Sequence, residues 1–380
     1  MKKMIYDVEL RTFDTVDDYL SNTFVSSELK VKKVDLMKYA VLVGEFSNFS
    51  VTKEGKIFYE SLVDMVFNHL NNKFVAGDSY KNAETTVKTS IGFLIGMISA
   101  KCVADKVFNI GYLHHLKDPR IKEYKSRLHP DFFGIDHDGN AYIVEAKATN
   151  AEKVDNSKVK KGKEQTQSIK KVSYERDNGV VQLYDEFKRH VVTAAFENNE
   201  YILSDIDPDE KNGEKEIYMN ENLVFFNYYK NIYNYLVSKS NNSLGKEKIK
   251  IDQLEFVVLN SEVGKFGIEA KIFSILEDYH NVFSECNSPE NKWLFDEEEL
   301  LFLKDNSLSK MENSKSNKFK DNKISKEVDK QKIEKKLKSI SGLSAKITKL
   351  ENHSRFKKFI DGNEDISLGH DGIIYIYNTK

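Results

Sequence analysis

The stretch from Pro130 to Lys147 reads Pro-Asp-Phe-Phe-Gly-Ile-Asp-His-Asp-Gly-Asn-Ala-Tyr-Ile-Val-Glu-Ala-Lys. Two short apolar runs flank an Asp-Gly pair, and this pattern is a strong short-range signal of a β-hairpin. We expect Asp131 to begin the first strand and residues 141–147 to form the second, joined by a turn over residues 137–140. The stretch therefore predicts two adjacent antiparallel strands with acidic residues at fixed places.

The acidic residues of this hairpin are placed to bind a metal ion. Side chains two positions apart share a face of a strand, so Glu145 and Lys147 project together while Ala146 leaves its carbonyl near that face. Asp131, on the neighbouring strand, completes the cluster. Carboxylate and carbonyl oxygens suit Mg²⁺, for which Mn²⁺ can substitute, whereas a zinc site would need His or Cys at ligand spacing. We therefore expect a magnesium site with a lysine beside it.

The motif resembles that of the PD-(D/E)XK nuclease superfamily, which stands here as Pro130-Asp131 followed by Glu145-Ala146-Lys147. The resemblance covers the motif and, more loosely, residues 76–210. It implies an α/β restriction-endonuclease-like core, a central mixed sheet flanked by helices, that hydrolyses phosphodiester bonds in DNA. Asp131, Glu145 and the Ala146 carbonyl would then hold the metal, and Lys147 would orient the water and stabilise the pentacovalent phosphate.

The resemblance implies two further site residues on helices. In this superfamily a helix before the hairpin often supplies another acid, and Glu84 opens an apolar stretch of helical spacing from Thr85 to Phe108. A later helix often carries a glutamine near the site, and Gln165 is the better candidate, with Gln167 the second. Ordinary explanations remain open, because acids favour the first turn of a helix and glutamine is a good helix former.

Other polar residues near the motif have simpler explanations. Glu269-Ala270-Lys271 repeats the three letters, but its neighbours follow helical spacing, so we expect an amphipathic helix surface there. Asp136 and Asp138 flank the turn, where Asp is favoured for local hydrogen bonds. Three histidines lie near the motif without metal-ligand spacing, and we treat them as phosphate contacts at most: His114, His115 and His129.

Composition places the chain among soluble globular proteins. Its 380 residues are 40% hydrophobic and 12% aromatic, which allows folded cores in about two or three domains. Cys102 and Cys286 cannot build a disulfide framework, which fits a reducing compartment. The N-terminus lacks an apolar signal region, and no run of about 18 apolar residues is free of charge. We therefore expect a cytoplasmic protein with no membrane partner.

Charge is unevenly distributed although the net charge is only −2. A basic strip follows the motif, and it could bind phosphates in a salt-dependent manner. A solvated, flexible lysine loop is the alternative for residues 153–163. The basic strip consists of Lys147, Lys153, Lys158, Lys160, Lys161, Lys163, Lys170, Lys171 and Arg176.

Composition shifts divide the chain into five segments. We predict an N-terminal extension (1–75), the nuclease core (76–210), a mixed accessory region (211–303), a charged linker or exposed helix (304–338), and a C-terminal helix and strand (339–380). The first segment carries an expected strand over Ala40–Phe46 and a helix over Ile57–Leu70. The aromatic residues of Leu223–Val237 fit a core better than base stacking.

The C-terminal segment has the features of a site that binds a partner protein or a second copy of the chain. Apolar residues recur every three or four positions between residues 333 and 350, as in an amphipathic helix, and residues 372–377 are strand-like. That strand could pair with a sheet edge in this chain or in a partner. We therefore expect a partner protein at this segment or a homodimer, because cutting both DNA strands calls for two active sites.

Taken together, the sequence predicts a Mg²⁺-dependent DNA endonuclease, and among its roles restriction or antiphage defence is favoured. No Gly-x-x-x-x-Gly-Lys-Ser/Thr loop accompanies the motif, so an ATP-driven step would need a partner. The alternative is a catalytically silent nucleic-acid-binding or assembly subunit that keeps a nuclease-like fold.

Overall fold

The computed structural model describes most of the chain outside the long segment 287–364. The described residues are 5–42, 53–116, 122–123, 129–136, 138–175, 180–207, 213–220, 228–229, 232–233, 236–237, 246–251, 254–260, 264–286, 365–369 and 371–377.

A nine-stranded mixed sheet carries the hairpin predicted from the sequence. Its order is β2-β1-β4-β12-β11-β8-β7-β5, with β3 paired to β4 beside this path. The strands are β1 (Ile5–Phe13), β2 (Val25–Lys32), β3 (Phe67–Leu70), β4 (Lys73–Ala76), β5 (Leu113–His115), β7 (Phe132–Ile135), β8 (Ala141–Ala148), β11 (Lys188–Glu197) and β12 (Glu200–Ile206).

The hairpin strand β8 lies in the middle of this sheet. It runs antiparallel to β7 and parallel to β11, and β11 in turn runs antiparallel to β12. Residues 141–144 of β8 are all buried, as expected for a strand that is covered on both faces. The expected α/β class and mixed sheet are therefore present.

Helices cover both faces of the sheet. Helix α5 packs on β8 and β11, and a Cβ on Gly96 would lie 3.3 Å from the Ala148 Cβ. Helix α6 packs on the same strands from the other face. A Cβ on Gly162 would meet Val191, the register partner of Glu145, and the side chain of Glu145 lies on the face of β8 opposite to that of Ala148. The helices are α1 (Val16–Ser21), α2 (Lys33–Leu42), α3 (Lys53–Val66), α4 (Asp78–Lys81), α5 (Thr85–Lys106), α6 (Asn156–Gln167) and α7 (Ala270–Cys286).

Two smaller sheets complete the described part of the fold. One has the order β10-β9-β13-β6 and the other the order β14-β15-β16-β18-β17. Their strands are β6 (Lys122–Glu123), β9 (Ile169–Glu175), β10 (Val181–Tyr184), β13 (Lys215–Asn220), β14 (Lys246–Ile251), β15 (Leu254–Asn260), β16 (Gly264–Glu269), β17 (Ile366–Leu368) and β18 (Ile373–Tyr377).

The first strands of the chain belong to the sheet of the hairpin. β1 pairs in parallel with β12, and β2 pairs antiparallel with β1. The predicted boundary between residues 75 and 76 falls inside β4. The N-terminal segment therefore contributes directly to the sheet that carries the motif.

Two predictions for the N-terminal segment need correction. The expected strand over Ala40–Phe46 is wrong for residues 40–42, which end helix α2, and residues 43–46 lie outside the described residues. From Val34 to the end of α2 every residue is buried, and a short apolar run of this kind reads alike as helix or strand. The expected helix over Ile57–Leu70 ends at Val66, where the strand β3 begins.

The second Glu-Ala-Lys triplet lies only in part on a helix surface. Glu269 ends β16 and is only 4% exposed, and burial raises the pKa of its carboxyl. Ala270 and Lys271 begin α7, so the chain changes from strand to helix within the triplet. The helical spacing of the later apolar residues is correct for α7 but does not extend back to Glu269.

The C-terminal strand pairs within this chain, since β18 runs antiparallel to β16. Of the aromatic residues in Leu223–Val237, Tyr228, Tyr229 and Tyr233 are buried, which confirms the core interpretation for them. The predicted linker (304–338) and the amphipathic helix between residues 333 and 350 lie outside the described residues.

Helix α5 is the one described element long and apolar enough to cross a membrane. Most of it is buried inside the protein, as in the core helix of a soluble protein, and Cys102 on this helix is buried with it. A soluble chain is consistent with this packing, and a cytoplasmic location stays a prediction.

Candidate functional site at the β7–β8 hairpin

The turn of the hairpin is built around Asp136. Its carboxylate accepts hydrogen bonds from the main-chain N–H of Asp138 (2.9 Å) and of Asn140 (2.8 Å), and from the Asn140 side chain (2.8 Å). Partial burial alone would raise the pKa of Asp136, but these hydrogen bonds outweigh it and the pKa is lowered. Gly139 has a φ of +85°, which favours glycine. Asp136 and Asp138 thus belong to the turn, as predicted.

Asp131 and Glu145 lie side by side at the other end of the hairpin. The Asp131 N–H donates to Glu145 Oε2 (2.9 Å), and the Ala146 N–H donates to Asp131 Oδ2 (3.1 Å). Asp131 immediately precedes β7 rather than lying in it. The two residues are only 3% and 1% exposed. Reciprocal main-chain hydrogen bonds therefore hold two buried carboxylates next to each other.

The main-chain N–H and C=O of Ala146 face the side of β8 on which Asp131 lies. The N–H and C=O of a strand residue point to the same neighbouring strand, and the Ala146 N–H reaches the Asp131 carboxylate. Its carbonyl accordingly points toward the side on which Asp131 lies. This orientation agrees with the third oxygen ligand expected from the sequence.

Lys147 joins the acidic pair to helix α6. Its ammonium forms an ion pair with Glu145 Oε1 and donates to Gln165 Oε1 over 2.9 Å. The Gln165 amide nitrogen donates to the main-chain carbonyl of His129 at 2.7 Å. The Lys147 side chain is 17% exposed, more than either carboxylate. Asp131, Glu145, Lys147 and Gln165 thus form one connected hydrogen-bonded group at the edge of the solvent.

Three further residues hold helix α6 in its place. Asp155 caps the helix by accepting from the Ser157 N–H (2.8 Å), and α6 begins at Asn156. Gly162 lets the helix lie close to β8 and β11, since a Cβ there would be 2.9 Å from Val191 Cγ1. At the other end the buried Arg189 donates to the carbonyls of Thr166 (3.3 Å) and Ile169 (3.1 Å), which suits a helix C-terminus.

A partial sequence signal exists for these positions. Asp followed by Asn-Ser is typical of a helix start, and it would have placed the beginning of α6 correctly. The role of Gly162 depends on how closely a helix crosses two strands that are distant in sequence. No local pattern carries that information.

Glu84 is the N-cap residue of α5 and is exposed. Its carboxylate accepts hydrogen bonds from Thr86, which lower its pKa. Its described side-chain hydrogen bond is with Thr86 in the first turn of the same helix, and no described contact joins it to Asp131 or Glu145. The metal role expected for Glu84 therefore has no contact to support it, and the ordinary first-turn role fits better.

The remaining candidates occupy other positions around the hairpin. His114 and His115 are buried on β5, which pairs with β7, and the His115 ring lies 4.4 Å from the ring of Phe132. His129 contributes its main-chain carbonyl to Gln165. Gln167 is buried at the end of α6 and makes no hydrogen bond to Lys147.

The donor set of the site fits a hard divalent cation. Asp131 and Glu145 supply carboxylates that repel each other when buried together, and a cation between them lowers that cost. Mg²⁺ commonly takes one or two carboxylates and keeps several waters. Within the described residues no group of three or more His, Cys, Asp or Glu side chains has metal-binding geometry. A two-carboxylate Mg²⁺ site suits these residues better than a cage made wholly of protein ligands.

Comparisons with protein-family models, with curated proteins and with solved structures find no match to this chain.

Proposed function

We propose that this chain is a Mg²⁺-dependent nuclease that hydrolyses phosphodiester bonds in DNA, with a restriction-endonuclease-like core. One observation carries the proposal: Asp131, Glu145 and Lys147 meet at the end of one hairpin and are joined to Gln165 on a helix. The resemblance of the motif to PD-(D/E)XK nucleases supplies the reaction class and the preference for DNA.

Each residue has a distinct task in this proposal. Asp131, Glu145 and the Ala146 carbonyl would hold Mg²⁺, in whose place Mn²⁺ can serve. When bound, the ion polarises a phosphoryl oxygen and makes water a better nucleophile. Lys147 stabilises the negative charge that develops on the phosphate and orients the attacking water. Gln165 holds the Lys147 ammonium in place through its side-chain oxygen.

The cellular role and the assembly are wider parts of the proposal. Restriction or antiphage defence rests on the resemblance alone. Cutting both strands of a duplex calls for two active sites, so we propose a homodimer or a partner that docks through the C-terminal segment. Sedimentation of the purified chain, alone and with DNA, tests the dimer.

A cleavage assay tests the activity directly. The purified chain is incubated with linear, circular and single-stranded DNA and with RNA, in Mg²⁺, in Mn²⁺ or in EDTA. We expect DNA cutting that needs the metal and is lost in Glu145→Ala, because that variant removes one of the two buried carboxylates. Glu164→Ala, which removes an exposed acid of α6, is the matched control and should cut normally.

The alternative function has its own outcome in this assay. Binding of DNA without cutting in any of these metals would favour a catalytically silent nucleic-acid-binding or assembly subunit. Cutting that is equal in Glu145→Ala and in the wild type would remove the hairpin from the active site.

A further inference from the structure

Helix α6 exposes lysines on more than one side. Val159, Gly162 and Thr166 are buried toward the sheet, whereas Lys158, Lys160 and Lys161 are exposed. Residues at spacings of three, four and seven share one side of an α-helix, so Lys158 and Lys161 lie in line with Gln165. Lys160 points away from this line. The line ends at the Gln165 oxygen that binds Lys147.

We propose that Lys158 and Lys161 form a phosphate-binding row that guides the backbone of duplex DNA to the hairpin site. This inference rests on the proposed nuclease function and adds where the substrate lies. From Gln165 to Lys158 the helix rises about 10 Å, which matches roughly three base-pair steps of about 3.4 Å. A helix also holds its charges at fixed spacing, so the row meets the backbone without first having to order a loop.

Other lysines of the basic strip are engaged within the protein. Lys153 donates to the Tyr19 carbonyl (3.0 Å) and lies 4.3 Å from the centre of the Tyr19 ring, and burial lowers its pKa. Lys171 forms an ion pair with Glu216 at 3.1 Å. Lys147 is part of the site itself. Fewer lysines of the basic strip are therefore available to bind phosphates than the sequence alone indicates.

Lys158 and Lys161 are exposed, and the charge of Lys158 helps to lower the pKa of Asp155. Within the described part of the chain, neither forms an ion pair with a carboxylate. The acids of the same helix region are Asp155, which caps the N-terminus through Ser157 and interacts electrostatically with Lys158, and the exposed Glu164, three residues after Lys161. Solvated ammonium groups beside the site can exchange their counterions for phosphates, which makes binding fall with added salt.

The salt dependence of binding tests the row without relying on cleavage. Fluorescence anisotropy with a labelled DNA duplex is measured for the full chain in EDTA, between 50 and 200 mM salt. Each lost phosphate contact lowers the slope of log affinity against log salt by about 0.9, or about 3.5-fold in affinity over this fourfold range. We expect the slope to fall by about 0.9 for Lys161→Gln and by about twice as much for the Lys158→Gln/Lys161→Gln double variant.

Lys160→Gln is the matched control, since it removes an equal charge from the same helix on another side. It should leave the slope as in the wild type. An equal change in Lys160→Gln, an unchanged slope in the double variant, or no duplex binding by the wild type would each overturn the row. Circular dichroism of the variants verifies that α6 is intact.

Failure of the row and failure of the nuclease proposal are distinguishable. If the chain cuts DNA with Mg²⁺ and Glu145→Ala does not, but all lysine variants share one slope, the row is wrong and the nuclease stands. If the slopes separate as expected while no metal supports cutting, the row stands on a silent DNA-binding protein.

Discussion

The side-chain oxygen of Gln165 lies 2.9 Å from the ammonium of Lys147, so a hydrogen bond joins helix α6 to the central strand β8. The other contact of this ammonium is with Glu145, which in turn accepts the Asp131 N–H. Glu145, Lys147 and Gln165 are therefore coupled through their side chains, and Asp131 is coupled to them through its main-chain N–H. Substitutions among the four residues should have unequal but related effects.

Removal of the lysine should stop the chemistry while the chain stays folded. For Lys147→Ala we expect cleavage to fall by about a hundredfold or more, because the variant lacks the charge that faces the phosphate. Lys271→Ala is the control, since Lys271 ends the same three-letter triplet but is exposed at the start of α7. Cleavage rates and thermal unfolding are measured for both. An insoluble or unfolded Lys147→Ala would show that this lysine is structural.

Loss of the glutamine should act through Lys147. In Gln165→Ala we expect kcat to fall by about tenfold, which corresponds to about 1.4 kcal/mol, because the ammonium loses its second partner. KM should change little. Gln167→Ala, two residues away and without a hydrogen bond to Lys147, should keep kcat within about twofold. Equal effects of the two substitutions would contradict the assignment of Gln165.

Two helix glycines should respond oppositely to the same change. In Gly162→Ala the new methyl meets the buried Val191, and we expect a destabilisation of about 1–3 kcal/mol together with slower cleavage. In Gly92→Ala nothing lies within 4 Å of the new methyl, so the helix should gain about 0.5–1 kcal/mol. Urea unfolding measures both changes. A stabilised Gly162→Ala would mean that α6 does not approach β11 as closely as described.

The buried Asp35 should make stability depend on pH. Burial would raise its pKa, but Lys106, at 2.9 Å, and Lys38 outweigh this effect and lower it. A lowered folded pKa contributes stability above the unfolded value of about 3.9 and loses it as the pH falls further. We expect Asp35→Ala to cost about 3 kcal/mol at pH 7 and less at pH 3.

Urea unfolding at both pH values provides the measurement for Asp35. Lys30→Ala, which removes an exposed ion pair with Asp7, should change stability by less than about 1 kcal/mol at either pH. A cost of Asp35→Ala that stays constant from pH 7 to pH 3 would contradict the ionised state of this side chain.

Local patterns were enough to predict the hairpin and part of the site. The Asp-Gly turn and alternating side chains predicted β7 and β8, and Glu145 and Lys147 share a face as expected. The long helix α5 also lies where the apolar stretch that begins at Thr85 predicted it. These features depend on residues that are close in sequence.

The parts that sequence reasoning missed depend on distant contacts. The parallel pairing of β1 with β12 places the N-terminal strands in the same sheet as the motif, and no local pattern indicates this. The buried run at the end of α2 was misread because continuous apolar residues carry no period.

The C-terminal strands also bear on how the chain is made. Ser367 binds Asp35, Asp371 accepts from Tyr228, and Tyr375 contacts Glu60, so elements encoded early are closed by residues that follow the segment 287–364. During translation these contacts cannot form until that whole segment has left the ribosome, and the apolar surface beneath them stays exposed until then. A nascent chain of this protein thus reaches its final packing only after its last strands have been made.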